Sequence, residues 1–211
     1  MNKEYTTVSE FGVDEYIEKR SRFSCYCKPV KTPEEAESFV AELRSKHWDA
    51  RHNVYAYVLS ENNIMRCSDD GEPQGTAGVP VLDAIRKSGV VDAVVVITRY
   101  FGGVLLGTGG LVRAYSHSAT LALAAAKPVV MRLCTVCTVS CSYGRYGKVS
   151  ALVPAYGGVV DDTSFDTDAH ITFHIASDSL NEFKKQLADA TCGEVTAETE
   201  DEKYFAVEVT A

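Results

Sequence analysis

Hydrophobic and polar positions alternate with helix or strand periods along most of the chain. Near the N-terminus, residues 23–30 are predicted as a strand, and Thr32 is predicted to open a helix that runs to about His47. Residues 52–60 alternate as a strand does, and Asn62 and Asn63 mark a turn before a short strand at 64–68. The pattern therefore predicts a helix followed by a hairpin.

A second helix and a long apolar strand follow. Residues 80–89 have helical spacing and end at Gly89, a residue suited to a C-terminal cap. Residues 90–100 form an almost unbroken apolar run, which predicts a central strand buried on both faces. A glycine-rich loop then leads into an alanine-rich helix from about Gly109 to Ala126, whose buried stripe is predicted to contain Leu111, Tyr115, Ala119 and Ala122.

The C-terminal part has a different order of elements. The pattern predicts strand, helix, strand, strand, helix and strand, at residues 132–141, 146–157, 159–166, 170–176, 177–193 and 204–210. This βαββαβ order is typical of a ferredoxin-like domain, a scaffold that by itself indicates no function. Pro128 marks the boundary, so we expect an α/β (α+β) protein with domains at 1–129 and 130–211.

Composition narrows the class of protein. The chain has 211 residues, of which 45% are hydrophobic, without a run of eighteen apolar residues or an apolar N-terminal signal. We therefore expect a cytoplasmic globular protein without a membrane partner. Cys134 and Cys137 form a CxxC, but strand alternation places them on opposite faces, which favours a core strand over a zinc or redox site.

Charge is distributed unevenly. Residues 1–130 carry a net charge of −1, and residues 131–211 carry −7. An acidic surface repels a phosphate backbone, so a nucleic acid would have to bind the N-terminal part through local arginines.

The stretch SDDGEPQGTAGVP at 68–80 concentrates the acids Asp69, Asp70 and Glu72 among glycines and prolines. Three acids and a flexible backbone suit a hard cation or the close approach of another ligand. The alternative is a tight turn in which Asp69 and Asp70 accept hydrogen bonds from local N–H groups, Pro73 fixes φ, and Thr76 caps the helix that begins near Val79. We expect a recognition role for this loop and assign no metal ligand.

The stretch TRYFGGVLLGTGGLVRAY at 98–115 suggests an anion site. Gly107, Gly109 and Gly110 stand at a helix start, where backbone N–H groups favour negative charge. Arg99 and Arg113 add donors suited to phosphate or carboxylate. In the alternative, the glycines permit close packing and the arginines pair with the acids Asp69, Asp70 or Glu72; the two interpretations are compatible.

Two weaker features of the sequence each allow two interpretations. His52, beside Arg51, is a candidate base or ligand, but a lone histidine is more often a structural hydrogen-bonding residue. Lys19 and Arg20 form either a basic edge or a solvated strand end. No nucleophile has a convincing base, so we assign no catalytic residue, whether the chain is an enzyme stays open, and no cofactor is indicated.

The blocks EKRSRF, ARHNVYAY, SDDGEPQGTAGVPVL, and TRYFGG followed by LGTGGLVRAYS resemble the signature blocks of the IMPACT/YigZ family. The resemblance spans essentially the whole chain. It implies an N-terminal α/β domain similar to the fold shared by a ribosomal small-subunit protein domain and the GHMP kinases. It also implies a ferredoxin-like C-terminal domain similar to the last domain of elongation factor G.

The resemblance also implies a role in translation. Eukaryotic members resemble regulators of translation initiation that act through an additional N-terminal RWD domain, for which this chain has no room before residue 20. The leading hypothesis is binding of RNA or the ribosome in one groove formed by His52, Arg99, Arg113 and the acidic loop. The alternative is a binder or enzyme for a phosphorylated small molecule or nucleotide at the helix start of Gly107 to Gly110. A third possibility is a protein-binding module.

Overall fold

The computed structural model describes residues 3–207, and these divide into two compact units. The first unit comprises Tyr5–Val130. The second comprises Met131–Val207 together with residues 3 and 4 at the start of the chain. The structure is mixed α/β, with five α-helices and two five-stranded sheets among the described residues, which confirms the predicted fold class.

The first unit has an antiparallel sheet in the order β2-β3-β6-β4-β5. Its strands are β2 (Gly12–Glu18), β3 (Ser21–Pro29), β4 (His52–Val58), β5 (Met65–Ser68) and β6 (Ala93–Tyr100), and β1 (Glu4–Val8) precedes them. The predicted central strand is confirmed, because β6 lies between β3 and β4 and is buried from its first residue through Arg99.

Helices cover both faces of this sheet. They are α1 (Pro33–Lys46), α2 (Gly78–Ser88) and α3 (Thr108–Ala125). One face packs against α1 through a cluster that includes Phe39, Leu43 and Val94. The opposite face packs against α2 and α3, and the predicted stripe on α3 is buried there. Side chains alternate along β6, so one apolar strand contributes to both cores.

Local signals explain the ends of several elements. The Thr32 hydroxyl accepts a hydrogen bond from the Glu35 N–H at 3.2 Å, and proline occupies the first helical position of α1, as predicted. Gly89 ends α2 in the left-handed conformation. The predicted hairpin is also confirmed, with a short 3-10 turn at Glu61–Asn63 between β4 and β5.

The second unit has the predicted βαββαβ order. Its elements are β7 (Pro128–Cys141), α4 (Tyr143–Ala155), β8 (Val159–Phe165), β9 (Ala169–Ala176), α5 (Leu180–Thr191) and β10 (Ala197–Val207). β9 lies between β7 and β8, and β10 also pairs with β7, which is the ferredoxin-like strand order. The predicted last strand extended to residue 210, and residues 208–210 lie outside the described part of the chain.

The cysteines of the CxxC stretch and the nearby Cys141 are buried, whereas Cys67 and Cys192 are exposed. Cys137 and Cys141 belong to the hydrophobic core of the second unit, whereas Cys134 is buried outside that cluster. Burial raises the pKa of all three thiols.

Across residues 3–207, no group of three or more histidine, cysteine or acidic side chains is arranged to hold a metal ion. No helix in the same range is long and apolar enough to cross a membrane.

Candidate nucleic-acid interface

Four connections meet at one end of the first unit's sheet. Since β6 is antiparallel to β3 and β4, its last residues lie opposite the first residues of both, with Arg22 facing Tyr100 and His52 facing Arg99. We call this region the loop end. It consists of the β2–β3 turn (19–20), the segment before β4 (47–51), the acidic loop (69–77), and the glycine loop (101–107) with the start of α3 that follows it (108–113).

The Asp69 carboxylate caps α2 from within the acidic loop. It accepts hydrogen bonds from the N–H groups of Gly75, Ala77 and Gly78 at 2.8, 3.0 and 2.8 Å. Burial alone raises the pKa of Asp69, but the three N–H donors outweigh it and leave the pKa below its usual value. The tight-turn alternative is thus confirmed for Asp69, which binds local N–H groups, but wrong for Thr76, whose hydroxyl donates to the Pro73 carbonyl at 2.6 Å instead of capping the helix.

Asp70 joins the acidic loop to the sheet and to α1. Its carboxylate accepts hydrogen bonds from Arg44 at 2.5 Å and from the Asn53 N–H at 2.7 Å. Its backbone has a φ of +42°, a left-handed conformation that aspartate tolerates better than most residues. Asp70 therefore holds the loop in place, and both carboxylate oxygens have partners.

Glu72 forms the buried centre of the loop end. One oxygen, Oε1, accepts hydrogen bonds from Arg99 Nη1 at 2.7 Å and from the Tyr115 hydroxyl at 2.8 Å. Only 4% of the Glu72 side chain and 7% of the Arg99 side chain are exposed. Burial and the adjacent Glu72 charge raise the pKa of Tyr115, so this hydroxyl stays protonated and donates.

Arg99 keeps unused hydrogen-bonding capacity. Its Nε is buried and has no hydrogen-bond partner among the described residues, and its Nη2 donates to the Ser21 hydroxyl at a long 3.4 Å. The guanidinium also lies between two aromatic rings, 5.5 Å from the centroid of Phe23 and 5.7 Å from that of Phe101. Of the predicted pairings between arginines and loop acids, the structure contains the one between Arg99 and Glu72.

His52 is held by the backbone of the acidic loop. Its Nδ1 lies 2.8 Å from the Asp70 carbonyl oxygen, which can only accept, so Nδ1 carries the proton and donates. In the neutral ring Nε2 is then an acceptor. Gly71 has a φ of +87°, and a Cβ there would lie 3.3 Å from His52 Nδ1, so glycine allows this close approach.

Arg113 and the predicted glycines lie at the start of α3. Gly107 precedes the helix with a φ of +71°, while Gly109 and Gly110 form part of its first turn. Arg113 Nη1 lies 3.7 Å from the position of a Cβ on Gly109, so the guanidinium folds back towards the helix start. No hydrogen bond joins Arg113 to the acidic loop within residues 3–207; Tyr115 is the α3 residue that binds Glu72.

Four cationic side chains at the loop end are exposed: Lys19, Arg20, Arg51 and Arg113. In the described part of the chain, none of them makes an ion pair or a hydrogen bond through its side chain. The backbone of Arg20 contacts the glycine loop, since a Cβ on Gly102 would lie 2.0 Å from the Arg20 carbonyl carbon. The β2–β3 turn and the glycine loop are thus fixed against each other.

Exposed aromatic and apolar side chains accompany these charges. Trp48 is 83% exposed, Leu105 in the glycine loop is also 83% exposed, and Phe101 is 53% exposed. His47, which precedes Trp48, is held in place because its ring forms hydrogen bonds with the Tyr26 and Tyr100 hydroxyls at 2.7 and 2.8 Å. Burial, followed by the charge of Lys46, lowers the pKa of His47. Rings beside unpaired cations can stack on bases while the cations contact phosphates.

Sequence reasoning did not identify several of these residues. Arg44 lies 26 positions from its partner Asp70, and no local pattern links them. Tyr115 was predicted as a core residue, but the sequence does not reveal its hydroxyl contact. Trp48 carried a usable signal, since a lone tryptophan among polar residues just after a predicted helix is a candidate for exposure.

Taken together, the fold and the loop end define a two-unit α/β protein with a compact, internally paired acidic loop. The family model "Impact N-terminal domain" matches residues 19–123, and the model "Domain of unknown function (DUF1949)" matches residues 139–194.

Relatives extend this match along the chain. The chain is 35% identical over 190 residues to "IMPACT family member YvyE" of Bacillus subtilis, covering 90% of this chain and 88% of that protein. It is 34% identical over 178 residues to "IMPACT family member YigZ" of Escherichia coli, covering 83% and 87%. The chain therefore belongs to the IMPACT family.

Two further comparisons define the extent of similarity. "Protein IMPACT" of Bos taurus is 35% identical over 96 residues, which cover 43% of this chain and 30% of that protein. A solved structure titled "Crystal structure of an hypothetical protein" is 30% identical with a TM-score of 0.60, covering 96% of this chain and all of the other. The likeness to the animal protein is thus confined to a segment.

Proposed function

We propose that this protein binds RNA, free or in the ribosome, in a translation-associated role, and that the loop end of the first unit is the binding surface. The observation that carries the proposal is the group of four exposed cations without partners in residues 3–207. They share the loop end with the exposed rings of Trp48 and Phe101, on a protein whose net charge is −8. Free cations gathered at one place on an acidic protein favour a local anionic partner.

The two kinds of side chain have separate tasks in this proposal. Lys19, Arg20, Arg51 and Arg113 contact phosphates, whose condensed counterions are released on binding. Trp48 and Phe101 stack on bases. The Nε2 of His52 is available to accept a hydrogen bond from a base or from a ribose 2′-hydroxyl.

The acids of the loop end bind other groups of the protein and so stabilise the proposed RNA-binding surface. Asp69, Asp70 and Glu72 are engaged with backbone N–H groups, Arg44, Arg99 and Tyr115, so they hold the loop without presenting free carboxylates to RNA. Exposed Gly107 and Gly109 and the partly exposed Gly110 allow a phosphate to approach the N–H groups at the start of α3. The acidic second unit, with a net charge of −7 over residues 131–211, disfavours RNA on its own surface.

Anisotropy of a fluorescein-labelled single-stranded RNA of about 20 nucleotides tests the proposal, since such a length exceeds the site size of a small binding domain. Replacing Lys19, Arg20, Arg51 and Arg113 by alanine should weaken binding at least about tenfold. The matched control replaces the exposed Lys28, Lys87, Lys148 and Lys185 by alanine, which changes the net charge equally. Equal loss in both variants, or no binding by the wild type, would overturn the proposal.

A second candidate is a small phosphorylated ligand or nucleotide held near the start of α3. It is favoured by Arg99, whose buried Nε has no hydrogen-bond partner among the described residues. A thermal-shift screen of phosphate, nucleotides and phosphorylated metabolites tests it. The candidate requires stabilisation by at least one compound that is lost in Arg113→Ala, and a flat response across the panel refutes it.

A further inference from the structure

The outer strand β2 has a regular edge that lacks three of the devices that protect many sheet edges, namely proline, lysine and a bulge. It pairs with β3 in an unbroken register, from Gly12 opposite Cys27 to Glu18 opposite Ser21. Its sequence, GVDEYIE, contains no proline and no lysine, and its pairing contains no bulge. Natural sheets use such devices to keep exposed edges from pairing with other chains.

Two other outer strands, β5 and β8, are protected. β5, at the opposite edge of the same sheet, has four residues and includes Arg66. β8, in the second unit, has a register shift between Val160 and Asp162. A short strand, an edge charge and a bulge each discourage edge pairing. β2 is seven residues long and has no bulge, and its charged residues, Asp14, Glu15 and Glu18, are all acidic.

The free backbone groups of β2 follow from its pairing. The turn at Lys19 and Arg20 has two residues, so the closing pair Glu18 and Ser21 is hydrogen-bonded. Hydrogen-bonded pairs alternate along an antiparallel ladder. The residues Val13, Glu15 and Ile17 therefore direct their N–H and C=O groups to the free edge. The Glu15 N–H agrees with this assignment, because it donates to the Asp14 carboxylate at 2.7 Å.

The side chains of β2 indicate what kind of chain the edge would accept. Val13 is 53% exposed and Ile17 is 61% exposed, both on the α1 side of the sheet. Asp14, Glu15 and Glu18 are the charged residues of the strand, and of these Glu15 lies 3.8 Å from Arg22 of β3 in an exposed ion pair. Apolar side chains beside acids complement an extended segment that alternates apolar residues with lysine or arginine.

We propose that the β2 edge binds an extended, basic segment of a partner protein, which adds to the sheet as a further strand. Main-chain hydrogen bonds supply affinity in such strand addition, and the alternating side chains supply specificity. A second copy of this chain fits less well. Antiparallel pairing of two β2 strands brings Asp14 and Glu15 close to the same acids of the other copy, and facing like charges are destabilising.

A nine-residue synthetic peptide that alternates lysine and valine is the probe, and its labelled form is titrated with the full chain by fluorescence anisotropy. We expect binding, and hydrogen exchange of the complex should be slowed at the amides of Val13, Glu15 and Ile17. Ile17→Lys should weaken binding at least about tenfold, which is about 1.4 kcal/mol. The control Met65→Lys adds the same charge to the β5 edge, where Met65 is exposed, and should bind as the wild type does.

A glutamate–valine peptide of the same length separates charge complementarity from general strand pairing, and it should bind at least about tenfold more weakly. No binding of the lysine–valine peptide up to about 1 mM, unchanged binding by Ile17→Lys, or slowed exchange away from β2 would overturn the proposal. A concentration-dependent dimer with slowed exchange at the same three amides would identify a second copy as the occupant and would also overturn it. The variant lacking the four loop-end cations should bind the peptide at least as tightly as the wild type, because Lys19 and Arg20 follow β2 directly and repel a basic peptide.

Discussion

Arg99 Nη1 lies 2.7 Å from Glu72 Oε1, and both side chains are almost completely removed from water. A buried charge without its partner is costly. We therefore expect Glu72→Ala to lower the free energy of unfolding by about 3–5 kcal/mol, measured by urea denaturation. Glu37→Ala breaks an exposed ion pair with Arg66 and should cost less than about 1 kcal/mol. Similar values for the two variants would contradict the role assigned to Glu72.

Asp69 links the stability of the first unit to pH. Its folded-state pKa lies below its unfolded value, so the stabilisation is present above the unfolded pKa and is lost as the pH falls through the folded pKa. Asp69→Ala should lower the free energy of unfolding by about 1–2 kcal/mol at pH 7, and the difference from wild type should shrink below about pH 4.

Asp83→Ala is the matched control for the cap, because it removes an acid from the same helix. Asp83 faces Arg86 at 3.6 Å in an exposed pair, so this variant should lose less than about 0.5 kcal/mol. A difference between Asp69→Ala and wild type that is unchanged from pH 7 to pH 3 would show that the carboxylate charge is not what stabilises the cap.

Gly102→Ala tests the contact between the glycine loop and the β2–β3 turn. The new Cβ would lie 2.0 Å from the Arg20 carbonyl carbon, so the two segments must separate. We expect a loss of about 1–3 kcal/mol in the free energy of unfolding and weaker RNA binding. Gly103→Ala meets no atom within 4 Å and should cost only the strain of its φ of +84°, about 1 kcal/mol. Equal costs would argue against the contact.

Trp48 provides an intrinsic probe of the loop end, since it is the only tryptophan of the chain and is 83% exposed. Its fluorescence in the free protein should have the long-wavelength emission of an indole in water and should be quenched readily by iodide. Added RNA should reduce the access of iodide, because a stacked base covers the ring. Iodide quenching that RNA leaves unchanged would remove Trp48 from the interface.

The sequence predicts those parts of the fold that depend on neighbouring residues. Thr32 and the following proline define the start of α1, and the apolar run of β6 requires cover on both faces. β2 was not predicted, because an edge strand that exposes Val13 and Ile17 lacks a clear division into buried and exposed faces. Alternation identifies a strand only where one face is buried.

The hydrogen-bond partners of the loop-end residues depend on contacts between segments that are distant in sequence. Thr76 is the capping residue nearest to α2 in sequence, yet the turn of the acidic loop brings Asp69 to the helix start instead. Asp70 binds Arg44 and the Asn53 N–H, neither of which is adjacent in sequence. The residue types at 69–72 therefore indicated a special loop and allowed local N–H partners for Asp69 and an arginine partner for Glu72, whereas the partners of Asp70 follow from the tertiary fold.

The dependence of RNA affinity on salt is the most direct measurement of the central claim. For single-stranded RNA the slope of log K against log salt is about −0.7 per phosphate contact, so four cations predict a slope near −3. Each alanine substitution at Lys19, Arg20, Arg51 or Arg113 should make the slope less steep by about 0.7. A slope near zero for the wild type, or a slope that these substitutions leave unchanged, would contradict the assignment of the loop end as an RNA-binding surface.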